Sequence, residues 1–134
     1  NSEMKKLHMM GDVYVNPSSG EGWCRPVAGA MLSGKPVISG DNGGVTDLVS
    51  DYYKVSSKTS QVTAQPFIPW YTPEQKWKVL DETELGLTMQ EVYKDYNKAK
   101  EVAKRAQDFV IENFSTQKIG LEMLKRLEEI NEKI

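Results

Sequence analysis

The stretch NPSSGEGWCRPVAGAMLSGKPVISGDNGG, residues 16–44, decides how the chain is read. It opens at the end of a short apolar run, DVYVN (12–16), which is rich in β-branched and aromatic residues and is stopped by Pro17. A loop with glycine at 20 and 22 follows. RPVAGAMLSG then predicts a helix: Pro26 suits a first turn, Val27, Ala30 and Met31 share one face, and Gly34 is a stop. PVISG (36–40) reads as a second, buried strand and Gly43-Gly44 as a turn.

Working outward, VTDLVSD is a short amphipathic turn or helix, and YYKVSS (52–57) is a candidate third strand. Strand, helix, strand, helix, strand at this spacing is an α/β pattern, the second half of a doubly wound, Rossmann-like parallel sheet. Lys58 to Thr83 reads as an ordered but irregular connection, since Phe67, Ile68, Trp70 and Trp77 are poorly suited to a free linker. From Glu84 to Asn113 the pattern is helical, with Leu85, Met89, Val92, Tyr93, Tyr96, Ala99 and their successors at three- and four-residue steps. Ser115 is placed to cap a last helix, with Phe114 stapling onto Ile119. Its apolar stripe is Ile119, Met123, Leu124, Leu127, Ile130 and Ile134. The expected division is 1–83, half of a ligand-binding domain with its irregular connection, and 84–134, C-terminal helices packed on it. Three strands alone make a small, poorly covered sheet, and NSEMKKLHMMG feeds a helix end straight into a strand. A piece of a larger protein is expected.

Bulk properties exclude several classes. The 134 residues carry 17 basic and 19 acidic groups, a balance with no electrostatic footprint for nucleic acid. Cys24 is the only cysteine, so no disulfide closes within one chain and a reducing, cytoplasmic setting is expected. No apolar run approaches the roughly 20 residues of a membrane helix, so the chain is not expected to be integral to a membrane, with peripheral contact left open. His8 is the only histidine and finds no convincing Ser-His-Asp or Cys-His partners. Glu21, Asp41 and Asp47 lack a Ca²⁺-loop spacing, and no metal is expected. Trp70, Tyr71 and Trp77 could form a sugar-ring platform, although packing under the connection is the simpler use. The lysines of 94–105 and 118–133, interleaved with acids, dress solvated helix faces.

The chemistry concentrates in the loop. Glycine at 20 and 22 lets the chain turn sharply and come close to a ligand. A helix beginning near Arg25 aims free N–H groups and the positive end of its dipole back at the loop. Together they suit a phosphate or a polyhydroxylated ligand at the carboxyl end of a strand, with Glu21 as an acceptor for hydroxyls. A plain strand-to-helix loop with a solvated Glu21 explains the same residues equally well. The loop matches neither the P-loop nor the dinucleotide fingerprint.

The segment from Asp12 to Val49 resembles the donor-site segment of retaining, GT-B-fold glycosyltransferases of group 1. Those typically read Pro-Ser, Glu-Gly-Phe-Gly, Glu-Ala-Met-Ala-x-Gly-x-Pro-Val-Ile, then Gly-Gly and an acid. Pro17, Ser18, Glu21, Gly22, Ala30, Met31, Gly34, Pro36, Val37, Ile38, Gly43 and Gly44 match in order and spacing, with Trp23 for Phe and Asp47 for Glu. The resemblance implies a metal-independent transferase, without a cofactor, that moves a hexose from a UDP- or GDP-sugar to a hydroxyl of a saccharide, lipid or protein with retention. It implies Glu21 as the catalytic-site carboxylate on the sugar, and Ser19, Gly20, Gly22, Trp23, Cys24 and Arg25 along the sugar and diphosphate. Pro26 and Gly29 would lie on the nucleotide. Gly29 departs from the family, which carries there a second carboxylate on the ribose. A degraded binding or scaffold module of the same fold is the alternative. The segment would supply the fourth to sixth strands of the donor domain. The first three strands and the acceptor domain would come from the same protein or another chain.

Overall fold

The computed structural model describes residues 2–48, 52–62, 70–72 and 74–133. Helix α1 (Ser2–Met10) leads into strand β1 (Tyr14–Asn16). Helix α2 (Arg25–Leu32) carries the chain to β2 (Val37–Gly40), and α3 (Val45–Leu48) lies before β3 (Tyr53–Val55). The three strands pair in parallel in the order β1-β2-β3, with Val15 opposite Ile38 and Ile38 opposite Tyr53. The α/β half-sheet expected from the punctuation is therefore the observed one.

All four residues of β2 are buried, because the sheet has a core on each face. Neighbouring residues of a strand point to opposite faces, so Val37 and Ile38 enter different cores. Val37 joins Val27, Met31, Val45, Leu48, Ala106 and Val110. Ile38 joins Val55, Leu80, Val92 and Ala99. The small residues Ala99, Ala103 and Ala106 on one face of α5 let that helix lie close, and α5 packs against α2.

Two expectations are corrected here. The segment 58–83 is not an irregular connection throughout. Strands β4 (Ser57–Gln61) and β5 (Lys76–Leu80) form an antiparallel pair, with Ser57 opposite Leu80 and Gln61 opposite Lys76. SKTSQ gave no warning: its residues are exposed or half-buried, so no apolar alternation marks the strand. The helical run after Glu84 is also not continuous. It divides into α4 (Glu82–Lys94) and α5 (Tyr96–Phe114) at Asp95, whose side chain accepts from the Lys98 amide. Asp81 caps α4 in the same manner, accepting from the Glu84 amide at 3.0 Å.

Helix α6 (Thr116–Asn131) starts at Ser115 as expected, and the Ser115 hydroxyl accepts from the Lys118 amide. None of its residues is buried: Leu121, Met123, Leu124, Leu127 and Ile130 are all exposed. The Phe114 ring lies edge-on to Trp23 and Phe109. Phe67, Ile68 and Ile134 lie outside the described residues, whereas Trp70 is exposed and Tyr71 packs edge-on to Trp77. Among the described residues no helix is long and apolar enough to cross a membrane.

Candidate functional site

The loop between β1 and α2 lies at the carboxyl end of the parallel strands, where open α/β sheets bind their ligands. A network of polar contacts holds its base. Asn16 and Ser39, at the ends of β1 and β2, are buried and joined by a 3.0 Å hydrogen bond. The Asn42 side-chain amide donates to the Ser18 carbonyl at 2.7 Å, and the Ser18 hydroxyl donates to the Gly20 carbonyl. Asn42 is only 5% exposed, yet its Oδ1 has no hydrogen-bond partner among the described residues. A buried acceptor left in that state costs about 1–3 kcal/mol.

The Gly43-Gly44 turn fixes the shape of the loop. The Gly44 amide donates to the Glu21 carbonyl at 3.3 Å. A Cβ on Gly43 would collide with the Glu21 carbonyl; one on Gly44 would collide with the Gly22 carbonyl and lie 2.5 Å from Trp23 Cα. The Glu21 and Gly22 carbonyls therefore face the Gly-Gly turn. In a trans peptide the C=O and the following N–H point in opposite directions. The Gly22 and Trp23 amides accordingly face away from the turn, and neither has an acceptor among the described residues.

The sequence-predicted glycines divide into two kinds. Gly20 and Gly22 have neither a positive φ nor any atom within 4 Å of an added Cβ. The tight turn expected to need them does not. What they provide is open space over the loop. The left-handed position is instead Cys24, at φ 58°, immediately before α2. A non-glycine residue in that conformation costs about 1–2 kcal/mol. The Cys24 side chain is buried among Val27, Ala28 and Met31, so it is a core residue beneath the loop. Burial pushes its thiol above the ordinary range and the charge of Glu21 adds to this, while the Val27 amide opposes it. Burial, followed by the charges of Cys24 and Glu21, likewise raises the Tyr14 phenol.

The other predicted residues are placed as follows. Ser19 and Glu21 are half-buried; Gly20, Gly22 and Arg25 are exposed. Trp23 is exposed, with its ring edge-on to Phe114. Pro26 lines a cavity of about 280 Å³ with Met4, Leu7, His8, Tyr14 and Lys35. Gly29 faces the same helix, α1: a Cβ there would sit 3.0 Å from His8 Nε2. Nothing in the sequence paired His8 with Gly29. Asp41 is held below the ordinary carboxylate range, first by its hydrogen bond from Lys54, with Ser57 adding a weaker one. Among the described residues no three His, Cys, Asp or Glu side chains gather as metal ligands do.

A missed contact joins the loop to the hairpin. The Lys78 amide of β5 donates to the Ser19 carbonyl at 3.2 Å. The loop thus touches β5 at Lys78, on the edge that β4 does not pair. Backbone pairing of this kind leaves no signature in side-chain type.

Residues 1–65 match the family described as glycosyl transferases group 1. No curated protein sequence matches the chain. Among solved structures, the complex of Anabaena HepE with UDP-glucose is 20% identical, with a TM-score of 0.70, over 96% of this chain and 30% of that one. The HepE complex with UDP and glucose gives a TM-score of 0.72 at 20% identity, over 96% of this chain and 30% of that one. Sucrose-phosphate synthase from Thermosynechococcus elongatus is 19% identical, with a TM-score of 0.68, over 96% of this chain and 27% of that one. The likeness to these structures is one of fold, and the chain spans under a third of their length.

Proposed function

Because residues 1–65 of this chain match the family of group 1 glycosyl transferases, we propose that the β1–α2 loop is part of the donor site of a retaining hexosyltransferase. The donor is a nucleotide-diphosphate sugar and the acceptor a hydroxyl. The observation that carries this reading is the pair of outward-facing, unpartnered amides of Gly22 and Trp23, held by the Gly43-Gly44 turn beneath open space. Fixed backbone donors suit this chemistry, in which positioning the sugar and stabilising the departing diphosphate supply most of the rate. Glu21 accepts from hydroxyls of the transferred sugar. Gly20, Gly22, Trp23 and Cys24 line the sugar and diphosphate through their backbones, with Ser19 and Arg25 at the rim. Pro26 and Gly29 flank the nucleotide. A UDP-linked hexose is the preferred donor, since the Anabaena protein of the same fold was solved with UDP-glucose. The acceptor half of the cleft comes from residues outside this chain, on the same polypeptide or on a partner.

The test is calorimetric titration with UDP, GDP and their glucose conjugates. Heat with one nucleotide series, weakened by Glu21→Ala only for the sugar conjugate, supports the assignment. Absence of heat from every ligand with a folded sample refutes it.

A second reading, a binding module without turnover, is favoured by Gly29. The carboxylate expected there would supply a charge-assisted bond of about 1.5–3 kcal/mol. The space beside Gly29 is instead taken by the His8 ring. A Gly29→Glu, His8→Ala double variant separates the readings. A large gain in nucleotide affinity identifies a degraded site, and no gain identifies a site built around glycine and histidine.

A further inference from the structure

We propose that Lys78, on the β4–β5 hairpin, is a donor-binding residue whose ammonium group pairs with the diphosphate held over the Gly22 and Trp23 amides. This rests on the donor-site reading above and extends it to an element outside the matched family segment, which ends at residue 65. Three observations support it.

The first is attachment. The Lys78 amide donates to the Ser19 carbonyl, so the lysine is fastened by its backbone to the loop whose amides would hold the anion. A lysine side chain extends about 6 Å from its Cα, a reach set by ordinary bond lengths. That span is comparable to the distance from Ser19 to Glu21 along the loop.

The second is direction. Side chains alternate along β5, so Lys78 leaves the hairpin on the same face as Leu80. Leu80 Cδ1 would lie 2.9 Å from a Cβ on Gly40, the last residue of β2. The face carrying Lys78 thus looks onto the carboxyl ends of the parallel strands.

The third is charge. Two other lysines around the hairpin are committed: Lys54 pairs with Asp41 at 3.0 Å and Lys58 with Asp81 at 3.4 Å. Lys78 is exposed and has no ion pair among the described residues. A cation left unpaired beside outward-facing amides completes an anion site in the way that a point charge supplements backbone donors.

The experiment is calorimetry on the protein with UDP-glucose, UDP and uridine, comparing wild type, Lys78→Ala, Lys78→Arg and the remote control Lys133→Ala. The expected result is about tenfold weaker binding of UDP-glucose and UDP to Lys78→Ala, on the scale of one charge-assisted bond. Lys78→Arg should retain binding, uridine should be unaffected, and the salt dependence of UDP affinity should be shallower in Lys78→Ala. Wild-type binding of UDP that Lys78→Ala leaves unchanged overturns the Lys78 assignment while leaving the donor site standing. Equal weakening of uridine and UDP also overturns it, because it identifies a structural effect. Failure of the wild type to bind any of the three overturns the donor site itself, and Lys78 with it.

Discussion

At the scale of single residues, the glycines of the loop and of the turn behind it serve opposite purposes, and stability measurements should separate them. Gly44→Ala has no room for its methyl group against the Gly22 carbonyl and Trp23 Cα. It should lose about 1–3 kcal/mol, as overpacked sites do, read from the denaturant midpoint. Gly20→Ala meets nothing within the chain and should stay within about 0.5 kcal/mol of wild type. If a ligand uses the space over the loop, the same substitution should nevertheless weaken UDP-glucose binding. Gly29 offers a third case. Alanine in a helix interior is favoured over glycine by about 1 kcal/mol, but its methyl would press on His8 Nε2 at 3.0 Å. The gain from Gly29→Ala should therefore be larger in a His8→Ala background, a difference that a double-mutant cycle on unfolding free energies reads directly.

At the scale of elements, the caps govern where helices begin. The Asp81 carboxylate is held below its ordinary range first by the Glu84 amide and then by Lys58. A carboxyl group whose folded value is depressed stabilises the fold above its unfolded value, near 3.9, and loses that contribution as pH falls through the folded value. Asp81→Ala should accordingly lower the melting temperature at neutral pH, and the gap from wild type should close as the solution is acidified below pH ~4. The elements that the sequence made legible are those with hard punctuation. Pro17 ends β1, Pro26 opens α2, Gly34 closes it, and the apolar run 37–40 fits a strand buried on both faces. The hairpin stayed hidden because its pairing is mostly polar and open to solvent. The break at Asp95 stayed hidden because the apolar steps from Val92 through Tyr96 to Ala99 continue across it. The site was half legible. The candidate loop was bounded by Pro17 and by the helix start at Arg25, whereas Gly20 and Gly22 do not make the sharp turn expected of them. The backbone contacts from Gly44 and Lys78 depend on the fold bringing distant segments together, and no residue type announces them.

At the scale of the whole molecule, cohesion is unevenly shared. Met31 is fully buried between α2 and the sheet, whereas Leu127 on α6 is 62% exposed. Met31→Ala should cost about 2–5 kcal/mol, and Leu127→Ala should fall within about 0.5 kcal/mol of wild type, in the same urea titration. A similar asymmetry runs across the sheet. Strand β1 is the outermost of the three, and among the described residues it pairs only with β2. The Tyr14 amide is spent on the Pro36 carbonyl, so in the alternating pattern Val15 directs its own N–H and C=O outward. An unguarded rim of this kind recruits any extended peptide that reaches it. Preparations of this chain should thus grow in apparent mass with concentration by sedimentation velocity. Val15→Pro, which silences the outward donor, should suppress that growth where Val15→Ala does not. The same rim that would let further strands extend the sheet would then make the chain adhesive to its own kind.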